Sequence, residues 1–241
     1  MTQHADSLPP PVPSRRKPLL AEQLATFRAA MMDRMTPADA GVLRKAEAAL
    51  AAAGADMPQA GSPAPGFALP DQHGRPVRLA DRLALGPVAV LFIRGGWCPL
   101  CTILLRAWAD ALPALQDAGG DLLAISPQPV PACGGVAERD LLPYPVLSDG
   151  YGAVARAYGV DCHVPEPARA LHLRLGHDLP ALNGDGTWRA PLPAVFIAAR
   201  GRIVLAHPER TAARRLDPAD VIAAVRDTVR NAGRPAGGTG P

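Results

Sequence analysis

Pro87-Val88-Ala89-Val90-Leu91-Phe92-Ile93, followed at once by Arg94-Gly95-Gly96-Trp97-Cys98-Pro99-Leu100-Cys101, is the stretch on which the fold turns. Its first half is an unbroken apolar run of strand length, the pattern of a β-strand buried on both faces. Gly95-Gly96 ends that run. Apolar residues then return at Ile103 or Leu104, Ala107, Trp108, Ala111 and Leu115, the spacing of a helix that begins near Pro99 and can kink at Pro113. Leu122 to Ile125 is a second buried strand. The stretch predicts a β-α-β unit with a Cys-x-x-Cys pair at the entrance to its helix.

Downstream, a helix near Val136 to Leu142, a short strand at Pro145-Val146-Leu147 and a helix around Val154 and Tyr158 extend the parallel sheet. Cys162 to Pro191 is rich in His, Pro and Gly and reads as a long loop with one helical turn. Ala194–Ala198 and Arg202–Ala206, joined by Ala199-Arg200-Gly201, form an antiparallel hairpin. A last amphipathic helix through Ile222, Val225 and Val229 follows Asp217-Pro218. Upstream, Phe67-Ala68-Leu69 and Val77-Arg78-Leu79 flank the turn-forming Asp71-Gln72-His73-Gly74-Arg75. Before them, Leu20, Leu24, Phe27 and Met31, then Leu43, Ala46, Leu50 and Ala53, predict a helical hairpin. Thr36-Pro37 would cap its second helix and Gly54 would stop it. The apolar stripe of this hairpin has two outlets, its own domain or a second subunit in a homodimer.

The order β-α-β, β-hairpin, helix predicts an α/β protein of thioredoxin-like fold, a central mixed sheet flanked by helices, with an N-terminal helical hairpin. Proline and glycine crowd at the start, between Pro58 and Pro70, and in the tail. Hence we expect a disordered Pro-rich leader over 1–18, a helical extension over 19–60, a thioredoxin-like domain over 61–232 and a flexible tail over 233–241. Aromatics are only 4% of the 241 residues, so Leu, Val, Ile and Ala must fill the core. A net charge of +3 without a long basic run gives little field for nucleic acid or anionic lipid. No secretory signal or membrane span is recognisable, so a cytoplasmic location is expected, where thiols stay reduced.

The four cysteines are therefore read for chemistry before structure. Cys98 falls near the N-cap of the helix and Cys101 within its first turn. Unpaired N–H groups and the helix dipole favour a thiolate there, lowering a thiol pKa from about 8.5 into roughly the 3.5–7.5 range. The spacing lets one sulfur attack a mixed disulfide on the other. Cys-x-x-Cys is also half of a zinc site, but Cys133, Cys162, His163 and His172 supply no second ligand pair. Trp97 is placed to shield the sulfurs. The histidines show no ligand spacing and read as surface residues.

The segment Arg94 to Cys101 resembles the signature of the peroxiredoxin-like branch of the AhpC/TSA (alkyl hydroperoxide reductase and thiol-specific antioxidant) family. Ala124-Ile125-Ser126-Pro127-Gln128, Tyr144-Pro145-Val146-Leu147-Ser148-Asp149, Val154-Ala155-Arg156-Ala157-Tyr158-Gly159 and Asn183-Gly184-Asp185-Gly186-Thr187-Trp188 with Leu192-Pro193-Ala194 resemble it in the same order. The resemblance, from about Leu19 to Val229, implies a peroxidatic cysteine that attacks a hydroperoxide and becomes a sulfenic acid, which a second thiol resolves. It implies no cofactor, and an external thiol such as thioredoxin or glutathione as reductant.

The family's usual Thr-x-x-Cys, laid on this sequence without a gap, places Cys101 at the peroxidatic position and Cys98 at the Thr. Laid on thioredoxin, Cys98 attacks and Cys101 resolves. The motif alone leaves both open; Cys98 is favoured on the expectation that it is the more exposed. The family's Arg before the late strand is replaced by Leu192, with Arg94 and Arg189 as substitutes, and thioredoxin's buried acid is Phe92. Pro193 matches the proline that thioredoxin-fold proteins hold in cis beside the disulfide. Cys133 and Cys162 lie in expected loops and read as incidental thiols, with a resolving role toward Cys98 or Cys101 as the alternative. The reading that results is a thiol-dependent peroxidase with Cys98 and Cys101 as catalytic residues and Trp97, Pro193 and Arg94 on the substrate side. The alternatives are a protein-disulfide reductase and a non-catalytic or zinc-binding relative.

Overall fold

In the computed structural model, residues 19–52, 56–208 and 216–232 are described. The chain opens with α1 (Leu20–Asp33) and α2 (Pro37–Ala52), then a small antiparallel hairpin of β1 (Ala68–Pro70) and β2 (Pro76–Arg78). A short helix, α3 (Leu79–Leu83), which the sequence pattern does not announce, leads into β3 (Val88–Phe92). α4 (Pro99–Asp117) and β4 (Asp121–Ser126) complete the expected β-α-β unit. α5 (Val130–Arg139), β5 (Val146–Ser148), α6 (Ala153–Ala157), α7 (Glu166–Arg174) and α8 (Leu179–Asn183) follow. The hairpin of β6 (Ala194–Ala199) and β7 (Arg202–Pro208) and the helix α9 (Pro218–Ala232) close the fold.

The main sheet has the order β5-β4-β3-β6-β7, with β3, β4 and β5 parallel and β6 and β7 antiparallel. Every residue of β3 is buried, as its unbroken apolar run requires, because helices cover both faces. On one face, α1, α4, α5 and α9 pack around Trp108, Leu104, Leu105 and Val225. On the other, α6 and the β1–β2 hairpin enclose Phe92, Tyr158 and Phe196, whose rings lie 4.9–5.8 Å apart. At β6–β7 the turn runs through Arg200 and Gly201 at φ 51° and 72°, the positive values that a tight two-residue hairpin turn demands.

The N-terminal helices pack within their own chain, α1 on α4 and α2 on α7. Leu20 and Leu24 are fully buried on α4, each contributing roughly 2 kcal/mol. The Leu20 N–H donates to the Asp217 carboxylate just before α9. Ion pairs Arg28–Glu47 and Arg174–Asp39 link α1 to α2 and α7 to α2. Thr36 caps α2 through the Asp39 N–H, while Ala53 and Gly54, with the expected leader and tail, lie outside the described residues. No described helix is long and apolar enough to cross a membrane.

Three expectations change. α5 starts six residues early and carries Cys133 on a helix, because burial of Cys133, Val136 and Ala137 outweighs the helix-weakening Gly134-Gly135. The segment 162–191 holds α7 and α8, each too short or too polar to show a period; α7 buries only Ala168 and Leu171. Pro193 is trans, since no cis peptide occurs among the described residues. The Leu192 N–H bonds to the Val160 carbonyl, and the extended chain runs directly into β6.

Candidate active site

β3 delivers the chain to a tight turn in which the Cys98 N–H donates to the Gly95 carbonyl at 3.2 Å. Cys98 is the N-cap of α4 and Pro99 its first residue, where a missing N–H costs nothing. The Cys98 carbonyl accepts from the Cys101 and Thr102 N–H groups at 3.0 and 3.2 Å, closing the first turn. All four cysteines are buried thiols. Cys98, expected to be the more exposed of the two, is 4% accessible under a roof of α1, α2 and α7, and Cys101 is at 0%. The two differ in where they face. Cys98 lines a cavity, whereas Cys101 is packed into the core beside Leu104 and Leu105.

The turn leaves no room for larger residues. Gly95 has φ +131°, and a Cβ on Gly96 would lie 2.1 Å from Val136 Cγ2. The buried Gln128, just past β4, accepts the Gly96 N–H at 2.6 Å and donates to the Leu182 carbonyl at 3.3 Å. Arg139 donates to the Gly96 carbonyl and to the Thr102 hydroxyl, both at 3.1 Å, bridging the turn and the helix it feeds. Asp140, its carboxylate fully buried, pairs with Arg139 and Arg106, whose hydrogen bonds and charges overcome burial and hold its pKa low. Gln128 and Arg139 are position-setting residues that the sequence reading did not single out. In the sequence Gln128 stands only as the last residue of the family-like segment Ala124 to Gln128.

The cavity beside Cys98 has a volume of about 260 Å³. One wall is apolar and comes from the N-terminal helices: Phe27, Met31, Leu43 and Ala46. The other holds Arg94, Trp97, His172 and His177. Trp97 stacks against both histidines, with ring centroids 5.5 Å from His172 and 4.9 Å from His177. The histidines are therefore part of the site wall and not surface residues. Burial, then the charges of His177 and Arg94, push the His172 pKa down to about 4, and burial lowers that of His177. At neutral pH both are uncharged, and Arg94 supplies the positive charge.

The AhpC/TSA family model matches residues 60–206. The chain belongs to the AhpC/TSA family. Peroxiredoxin Bcp of Escherichia coli strain K12 is 36% identical over 102 residues, which are 42% of this chain and 65% of that protein. The chloroplastic peroxiredoxin Q of Sedum lineare is 34% identical over 100 residues, 42% of this chain and 53% of that protein. The chain thus spans between half and two thirds of the length of these relatives. The crystal structure of peroxidoxin BcpB from Mycobacterium tuberculosis superposes with a TM-score of 0.57 at 26% identity, covering 71% of this chain and 98% of that one. Peroxiredoxin Q of Xanthomonas campestris has the same fold, with a TM-score of 0.50 at 18% identity over 70% of this chain and 92% of that one.

Within this AhpC/TSA chain, Arg94, Trp97, Cys98 and His172 come together at one cavity, whereas Cys101, Cys133, Cys162, His163, Arg189 and Pro193 do not line it. Pro193 is buried and trans and does not line the cavity. Arg189 is 6% exposed and committed to Asp161 and Asp185, so it braces the loop after α8 and is not available beside the thiols. Cys133 is buried on α5, where desolvation raises its pKa to about 11, and burial likewise raises that of Cys162. Neither thiol lines the cavity beside Cys98.

Proposed function

We propose that this protein is a thiol-dependent peroxidase in which Cys98 attacks and Cys101 resolves. The observation that carries the reading is that Cys98 lines a cavity at the N-terminus of the 19-residue α4, with Arg94 as the cation in its wall, while Cys101 lies behind it in the core. The names of the peroxiredoxin relatives support the same chemistry. The Cys98 thiolate, favoured by the positive end of the α4 dipole and by Arg94 in the cavity wall, attacks the outer oxygen of a hydroperoxide. The O–O bond breaks, the sulfur is oxidised to S–OH and the inner oxygen leaves with the electron pair. Arg94 offsets its charge. Cys101 then attacks the sulfenic sulfur, forming the disulfide and releasing water. One external dithiol such as thioredoxin, or two equivalents of a monothiol such as glutathione, return the dithiol with formation of their own disulfide. The roof over Cys98 favours a small peroxide over a folded protein disulfide.

The test is single-turnover oxidation of the pre-reduced protein by hydroperoxide, with the cysteine products mapped by mass spectrometry. We expect a Cys98–Cys101 disulfide in the unaltered chain, a trapped Cys98 sulfenic acid in Cys101→Ser and no reaction in Cys98→Ser. Thiols that stay reduced would overturn the peroxidase reading, and sulfenic acid on Cys101 in Cys98→Ser would reverse the roles.

A further inference from the structure

The cavity has a chemistry of its own beyond that reading. Five buried side-chain nitrogen or oxygen atoms have no hydrogen-bond partner among the described residues, and four of them belong to its wall: Arg94 Nε, Trp97 Nε1, and Nδ1 of His172 and His177. Burying an unmet polar atom costs about 1–3 kcal/mol, so four in one wall mark a place built for a polar group from outside. Its charge is defined as well. No carboxylate pairs with Arg94 among the described residues, while Glu47, the acid in the opposite wall, is already neutralised by Arg28. The vacancy in charge is therefore for an anion.

The remainder of the wall is apolar and open at its rim, where Phe27 and Leu175 stay 36% and 46% exposed. At about 30 Å³ per water-sized group, the volume of about 260 Å³ holds on the order of ten heavy atoms, a short straight chain with a small head. Phe27, Met31 and Leu43, on the N-terminal helices, lie outside the residues 60–206 that the family model matches.

We propose that the cavity binds a medium-chain carboxylate head-first, with the carboxylate on Arg94 beside Cys98 and the chain against Phe27, Met31 and Leu43. Resting on the peroxidase reading, this names the preferred substrate class as peroxycarboxylic acids, R–C(O)–O–O–H. The Cys98 thiolate takes the outer OH, the O–O bond breaks, and R–COO⁻ departs with the electron pair onto the guanidinium. An alkoxide leaving group needs a proton, and the histidines of the wall are neutral and supply none readily; a carboxylate needs no proton.

Two measurements test this. Binding of octanoate and of octan-1-ol to Cys98→Ser protein is followed by Trp97 fluorescence or calorimetry, and single-turnover oxidation of unaltered protein is compared for peroxyacetic and peroxyoctanoic acid. Octanoate is expected to bind about tenfold or more tighter than the alcohol, as a charge-assisted contact implies. Arg94→Gln should erase that preference, and Leu43→Gln should weaken both ligands alike. The two peroxy acids share a head group and hence an intrinsic reactivity. Peroxyoctanoic acid carries six more methylenes than peroxyacetic acid, and each is worth roughly fourfold when buried, so the longer should react on the order of a thousandfold faster. Equal binding of acid and alcohol, or an acid preference that survives Arg94→Gln, overturns the head-group assignment, and equal rates for the two peroxy acids overturn the chain assignment. If the thiols ignore every peroxide while octanoate still binds through Arg94, the peroxidase reading and the substrate class fail and the carboxylate site stands.

Discussion

The Gly96 N–H and Gln128 Oε1 meet at 2.6 Å, tying the turn that presents Cys98 to the end of β4, 32 residues further along the chain. The contact braces the turn from an element outside the β3–α4 connection. In Gln128→Leu the amide would lose its acceptor, at a cost of about 1–3 kcal/mol in stability. The oxidation rate of Cys98 should fall about tenfold or more, with Gln128→Glu, which keeps the acceptor, recovering much of it. Urea unfolding and peroxide-driven thiol oxidation would measure the two effects.

Gly96→Ala tests the same turn by steric means. A methyl group 2.1 Å from Val136 Cγ2 must displace α5 or the turn, and we expect a loss of about 1–3 kcal/mol. Gly96→Ala combined with Val136→Ala should restore part of it in the same urea titration.

Arg189 bridges Asp161 and Asp185 with all three side chains 11% exposed or less. Arg189→Leu strands two buried carboxylates and should cost about 3–5 kcal/mol in stability. Because none of the three lines the cavity, the folded fraction should oxidise at Cys98 at the unaltered rate, read by stopped-flow with the folded fraction fixed by circular dichroism.

The histidines set a pH dependence. His172 has a folded pKa lowered to about 4, below the usual value of 6.5, so between these values the unfolded chain binds the proton and the folded one does not. The contribution is complete above pH 6.5 and is lost as pH falls toward 4. His177 shifts in the same direction. Urea midpoints of the unaltered protein should drop over this window, and His172→Gln should flatten the slope.

Much of this was legible in the sequence, since the apolar run of β3, the Gly-Gly break and Pro99 each act within a few residues. They specify the strand, its end and the helix start, and so place Cys98 at the cap. The short helices α3, α7 and α8 carry too few apolar residues to show a period, and α5 runs through two glycines that local preference reads as a loop. Those elements are helical because the sheet offers them a face to cover.

The sequence by itself determined the β-α-β core, the family and the position of the two cysteines on it, because hydrophobic periodicity and helix capping are local interactions. Only the tertiary structure decided which thiol meets a cavity, that Arg94 and not Arg189 stands beside it, and that His172, His177 and the N-terminal helices wall it in. Residues from Phe27 to Ala190 converge there through packing between elements far apart in the chain, and burial, which sets the histidine charge and the pairing of each arginine, exists only once they have converged.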